Sequence, residues 1–164
     1  MGLDMYLYKK TYVKNWEHNK ERKNEVSVKL NGEPHPGVNP SKVTYIQEEV
    51  GYWRKANHIH QWFVDNVQKG VDECQEAWVD LEKIKELLQI CIIIRDAENL
   101  EETASELLPT QSGFFFGGTE YDEYYLQDIN NTIEIMEKEL KKYEEMEKLK
   151  IPMSLPEYYY RSSW

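Results

Sequence analysis

Both ends of this chain alternate. From Met1 to Lys10, Leu3, Met5 and Leu7 fall on one side of an extended segment, with Asp4, Tyr6 and Tyr8 on the other. From Glu157 to Trp164, Tyr158, Tyr160, Ser162 and Trp164 alternate with Tyr159, Arg161 and Ser163. A period of two marks a strand with one buried face. A strand needs partners, so two terminal strands demand a sheet that both can join. The expected fold is therefore α+β: about three helices packed on a small, mainly antiparallel sheet containing the N- and C-terminal strands. A length of 164 residues suits a single domain over 1–164.

The helical segments follow from apolar spacing and caps. Tyr52 to Gln68 places Tyr52, Ala56, Ile59, Phe63 and Val67 on one stripe, with Gly70 as the stop. Asp80 caps a second helix to about Arg95, with Leu81, Ile84, Leu88 and Cys91 inward. A short helical turn covers Leu100 to Leu107. Thr119 reads as the cap of the last long helix, with Asp122 in the capping-box place. That helix turns Tyr125, Ile129, Ile133, Met136, Leu140 and Tyr143 inward and runs to about Lys150, where Pro152 and Pro156 stop it. Before the first helix, Asn15 to Asn24 reads as a polar loop. Val26 to Leu30 reads as a short strand ending in Asn31-Gly32, and EPHPGVNP leaves no room for regular structure. Residues 11–40 are thus expected to be a surface excursion before extended structure resumes over Lys42 to Glu49.

Charge narrows the partners. The net charge is −10, but residues 1–60 hold 10 basic against 7 acidic side chains, so +3, and residues 61–164 hold 10 against 23, so −13. So acidic a half repels nucleic acid and anionic membrane. The longest aliphatic run, Ile90 to Ile94, is broken by Cys91 and far too short to span a bilayer. The N-terminus has neither the apolar core of a signal peptide nor a myristoylation pattern. Cys74 and Cys91, each in a segment read as helical, have no zinc spacing, which points to reduced thiols in a cytosolic protein.

Three constellations could carry chemistry. In YWRKANHIHQWF, Trp53, Asn57 and His60 share one flank of the expected helix. A Trp ring beside an Asn and a His can stack a base and read its edge, and Arg54 and Lys55 are available for phosphate. His58 is read as pointing outward. In LLPTQSGFFFGGTEYDEYY, glycines allow close backbone approach, and Thr110, Gln111 and Ser112 offer neutral donors and acceptors for a base or ribose. No Lys follows the glycines, so this is not a phosphate-binding P-loop. In YYYRSSW, Arg161 on an aromatic strand could meet a phosphate. Each group also has a plain structural use: a His and an Asn at a core margin usually bond backbone, and triple Phe usually plugs a core. No metal site is expected, since His58 and His60, two apart on a helix, cannot face one ion. No hydrolase or metalloenzyme motif is present, no catalytic residue is identifiable and no cofactor is implied. The pattern leans towards a binder.

The blocks MGLDMYLYKKTYV, YWRKANHIHQWFVDNVQ, LLPTQSGFFFGGTEYDEYY and YYYRSSW together resemble a family of small, uncharacterised phage and prophage proteins. They cover most of the chain apart from 11–40 and 82–106. The resemblance implies an accessory gene product in the host bacterial cytoplasm and supplies no catalytic residues. By analogy with counter-defence factors, the expected function is sequestration of a nucleotide-derived immune signal, such as a cyclic nucleotide or a cyclic ADP-ribose isomer. Formation of a homo-oligomer would deepen such a pocket at subunit seams. Two alternatives stand beside it: an inhibitor that binds a bacterial defence or host protein, as an acidic mimic, and a hydrolase or lyase of such a nucleotide with His60 as acid/base.

Overall fold

The computed structural model describes residues 2–18, 23–150 and 155–164. Met1, residues 19–22 of the expected polar loop and the Pro152 stop lie outside them. Among the described residues the fold is α+β, with four α-helices and a four-stranded antiparallel sheet whose order across is Tyr45–Arg54, Asp4–Tyr12, Glu157–Ser163, Ala77–Val79. The strands are β1 (Asp4–Tyr12), β4 (Tyr45–Arg54), β5 (Ala77–Val79) and β6 (Glu157–Ser163), and a separate small hairpin joins β2 (Lys29–Leu30) to β3 (Glu33–Pro34). The helices are α1 (Asn57–Asn66), α2 (Leu81–Arg95), α3 (Leu100–Leu107) and α4 (Glu123–Lys148).

The two terminal strands sit together in the middle of the sheet, with Leu7 opposite Tyr160 and Met5 opposite Ser162. Their inward residues, Leu3, Met5, Leu7, Tyr158 and Tyr160, join Ile59 and Phe63 of α1, Ile84 and Leu87 of α2, and Ile129 and Met136 of α4 in one core. The same inward face carries Lys9, which pairs with Glu139 of α4 at 3.4 Å and with Glu48 of β4 at 2.9 Å. Glu139 is buried and also accepts from the Tyr158 hydroxyl. A buried carboxylate is tolerated only with such partners.

Several local expectations are corrected. Tyr52, Trp53 and Arg54 belong to β4, opposite Tyr6, Met5 and Asp4. Helix α1 begins only at Asn57. Lys55, at φ 41°, turns the chain from strand to helix. Trp53 therefore shares no helical flank with Asn57 and His60. The segment Val26–Leu30 is strand only at its last two residues. They pair across Asn31-Gly32, whose φ values of 52° and 89° suit a tight hairpin turn, with Glu33 and Pro34 in the stretch expected to lack structure. Asp122, not Thr119, caps α4, its Oδ1 accepting from the Tyr124 and Tyr125 amides. Cys74 lies outside any helix at φ 56°, while Cys91 is buried in α2, where burial pushes its thiol up to about 12. Asp80 caps α2 as expected, accepting from the Glu82 amide. Among the described residues, no helix is long and apolar enough to cross a membrane.

Candidate functional site

A cleft of about 390 Å³ opens where the β4–α1 turn, the loop after Pro109 and the first turns of α4 meet. Arg54 and Lys55 form one lip. Asn57 and His58 come from the first turn of α1. Thr110, Gly117, Gly118 and Glu120 come from the loop. Asp122, Tyr124, Tyr125, Gln127 and Asp128 come from α4 and the residue that caps it.

Asn57 builds this arrangement. Its Nδ2 donates to the carbonyls of Phe116 at 2.7 Å and Gly118 at 2.8 Å, and its Oδ1 accepts from the Gln111 amide at 2.8 Å. One side chain thus clamps three points of the loop to the helix start. Thr110 Oγ1 closes the loop by donating to the Thr119 carbonyl, and the Tyr125 hydroxyl ties the preceding segment by donating to the Leu108 carbonyl. Gly117 has φ 80°, and a Cβ there would stand 3.1 Å from Cβ of Lys55. Glycine is thus required both by the left-handed backbone and by the close pass of loop and lip.

The electrostatics are of mixed sign. The Arg54 guanidinium donates to both oxygens of Asp4, at 3.0 and 3.2 Å, and keeps an exposed edge. Lys55 has no ion pair among the described residues. Glu120, Asp122 and Asp128 line the same cleft. Asp122 has its Oδ1 occupied by capping bonds. No hydrogen bond among the described residues reaches the half-buried Asp128 carboxyl. Burial, and then the charge of Asp122, raise it to about 6. His58 is 3% exposed, and its Nε2 is buried without a partner. Burial lowers its pKa to about 3, so the imidazole is neutral near pH 7. Its ring lies 4.1 Å from that of Tyr125. Most buried polar groups are hydrogen-bonded, so the buried, unpartnered His58 nitrogen, with the half-buried Asp128 carboxyl beside it on the same cleft, singles this cleft out.

A second groove, of about 710 Å³, runs past Lys9, Glu48 and Lys142. Lys9 holds Glu48 and Lys142 holds the buried Glu139, while Glu145 and Lys148 stand exposed to water. Size favours that groove, but unmet hydrogen-bonding capacity favours the cleft, and it is the latter that a ligand would satisfy.

Of the residues read from sequence as ligand-binding, Arg54, Lys55, Asn57 and Thr110 border the cleft. Asn57 spends its whole side chain on the loop and orders the site without reading a ligand. Trp53 is 1% exposed, its Nε1 donates to Thr132 Oγ1 at 2.8 Å and its ring packs near Phe63, so it has no open face for stacking. His60 is fully buried between the Tyr160 hydroxyl and Asp72. Gln111 meets Asn57 through its backbone. Ser112 is exposed on the loop, and neither residue lines the cleft. Arg161 is exposed on β6 opposite Tyr6, away from the cleft. His58, Tyr124, Tyr125 and Asp128 were not singled out as site residues. Asp128 carried a usable signal: it directly precedes Ile129 of the apolar stripe, which places a carboxyl at the margin of a buried face. Among the described residues, no group of three or more His, Cys, Asp and Glu could hold a metal ion. Compared with family models, curated proteins and solved structures, the chain finds no match.

Proposed function

We propose that this cleft captures a small nucleotide-derived molecule, with an anionic group at Lys55 and Arg54 and a base between Tyr124 and the His58–Tyr125 wall. The observation that carries the reading is the meeting of a cationic lip, a buried unpartnered histidine nitrogen and a half-buried carboxyl in one nucleotide-sized space. Pockets of roughly 300–1,000 Å³ hold small organic ligands. In the phage setting that the sequence blocks imply, holding such a molecule would sequester an immune signal. The experiment is calorimetry of the full chain against cyclic and linear mononucleotides and cyclic ADP-ribose isomers. Charge-assisted bonds to phosphate contribute about 1.5–3 kcal/mol, so Lys55→Gln is expected to weaken binding roughly ten- to a hundredfold. If none of these compounds binds at micromolar concentration, the reading fails, and inhibition of a protein partner by the acidic half becomes the better account.

One observation favours a second reading. A cleft carboxyl that titrates near 6, as Asp128 does, is suited to general acid or base work. Releasing bound ligand by heat separates the two. Intact ligand marks a store, whereas an altered one marks a hydrolase or lyase.

A further inference from the structure

Resting on the nucleotide reading above, we infer that the cleft selects a guanine base over an adenine base, and that Asp128 is the residue that selects. The argument is one of acceptors. Of the carboxylates bordering the cleft, Asp122 commits Oδ1 to the amides of Tyr124 and Tyr125, which leaves one exposed oxygen and no free parallel pair. Glu120 is exposed on the loop and well hydrated. Asp128 is half-buried and its carboxyl receives no hydrogen bond among the described residues, so both of its oxygens are free to accept. An ionised carboxylate accepts only. Its two parallel oxygens match a pair of adjacent N–H donors.

Guanine presents that pair on its Watson–Crick edge, as N1–H beside the exocyclic amine. Adenine presents a lone pair beside its amine, and the lone pair would face a carboxylate oxygen. Hypoxanthine keeps N1–H and lacks the amine. The ligand's anionic end is drawn to Lys55 and Arg54 and repelled by a carboxylate, so Asp128 meets the base and not the phosphate. The volume of about 390 Å³ suits one nucleotide.

The test is calorimetry of the full chain with GMP, IMP and AMP, and with cyclic GMP and cyclic AMP, for wild type and Asp128→Asn. Guanine ligands are expected to bind at least tenfold tighter than adenine ligands, with IMP between them. Asparagine offers one donor and one acceptor, the pattern that pairs with adenine. Asp128→Asn should therefore weaken guanine binding at least tenfold and abolish the preference. The wild-type series decides even if the variant fails to fold. Equal affinity for guanine and adenine ligands, or tighter adenine binding, overturns the inference and leaves the nucleotide reading standing. Binding of no nucleotide at all overturns that reading, and the inference falls with it.

Discussion

Two histidines lie two residues apart on α1, and they live in opposite worlds. His60 is fully buried and has both ring nitrogens occupied: Nδ1 meets the Tyr160 hydroxyl at 2.7 Å, and Nε2 meets Asp72 at 2.9 Å. Asp72 in turn accepts from Trp164 Nε1 at 3.2 Å. The ring thus stitches α1 to β6 and to the segment before β5. His58 is nearly as buried, yet its Nε2 has no partner, and its ring borders the cleft. Burial alone does not tell the two histidines apart. The count of hydrogen bonds does.

The largest expected effect concerns His60. His60→Ala removes a buried ring and leaves the Tyr160 hydroxyl and Asp72 Oδ2 without their partner, so stability should fall by about 3–5 kcal/mol. Urea denaturation reads this directly, and a loss below 1 kcal/mol would mean that the network holds little together.

His58 should act through pH. Its folded pKa, about 3, lies below the unfolded value of about 6.5. The stability it allows is present above pH 6.5 and is lost as pH falls towards 3, because only the unfolded chain takes the proton. The loss is about 3 kcal/mol by pH 4. His58→Phe should flatten that part of the stability curve. Parallel curves for variant and wild type between pH 7 and 4 would show that the imidazole is not held neutral.

Asp128 has the opposite sign. Its folded pKa of about 6 lies above the ordinary 3.8, so its contribution is full below 3.8 and is lost as pH rises through 6. Asp128→Asn should stabilise the protein by about 1–2 kcal/mol at pH 7.5, after allowance for partial solvation, and by nothing at pH 4. Between pH 4 and 6 the two groups offset each other, so wild type should show a plateau that either single variant tilts.

Smallest is Asp122→Ala, expected to cost about 1 kcal/mol through the lost α4 cap. A melting temperature unchanged by this substitution would move the cap elsewhere.

What the sequence revealed divides along the same line. The alternation of β1 and β6, the Asp80 cap and the stripe of Tyr125, Ile129, Ile133 and Met136 are local patterns, and each appears where expected. Helix α1 carries no such pattern, because Asn57, His58, Ile59, His60, Trp62, Phe63 and Val64 are all buried. A helix covered on nearly every side has no polar face to set its phase, so its start and the direction of each histidine are decided by distant partners. Three-residue β5 is too short to show a period, and its pairing with β6 supplies the order. The site was legible in part: Arg54, Lys55 and the loop at Thr110 come together through Asn57, whereas Trp53 and His60 were claimed by the core.

The central pairing of β1 with β6 also sets how the molecule answers force. Asp4 stands opposite Ser163, so the two ends of the described chain leave the sheet at the same edge of one antiparallel ladder. Hydrogen bonds in such a ladder run across the strands. Tension applied at Gly2 and Trp164 would therefore load them one pair at a time and peel the strands apart like a zipper. Handles near Tyr12 and Ser163 would pull along the strands and load many pairs together. The same fold should thus yield at low force in one direction and resist in the other.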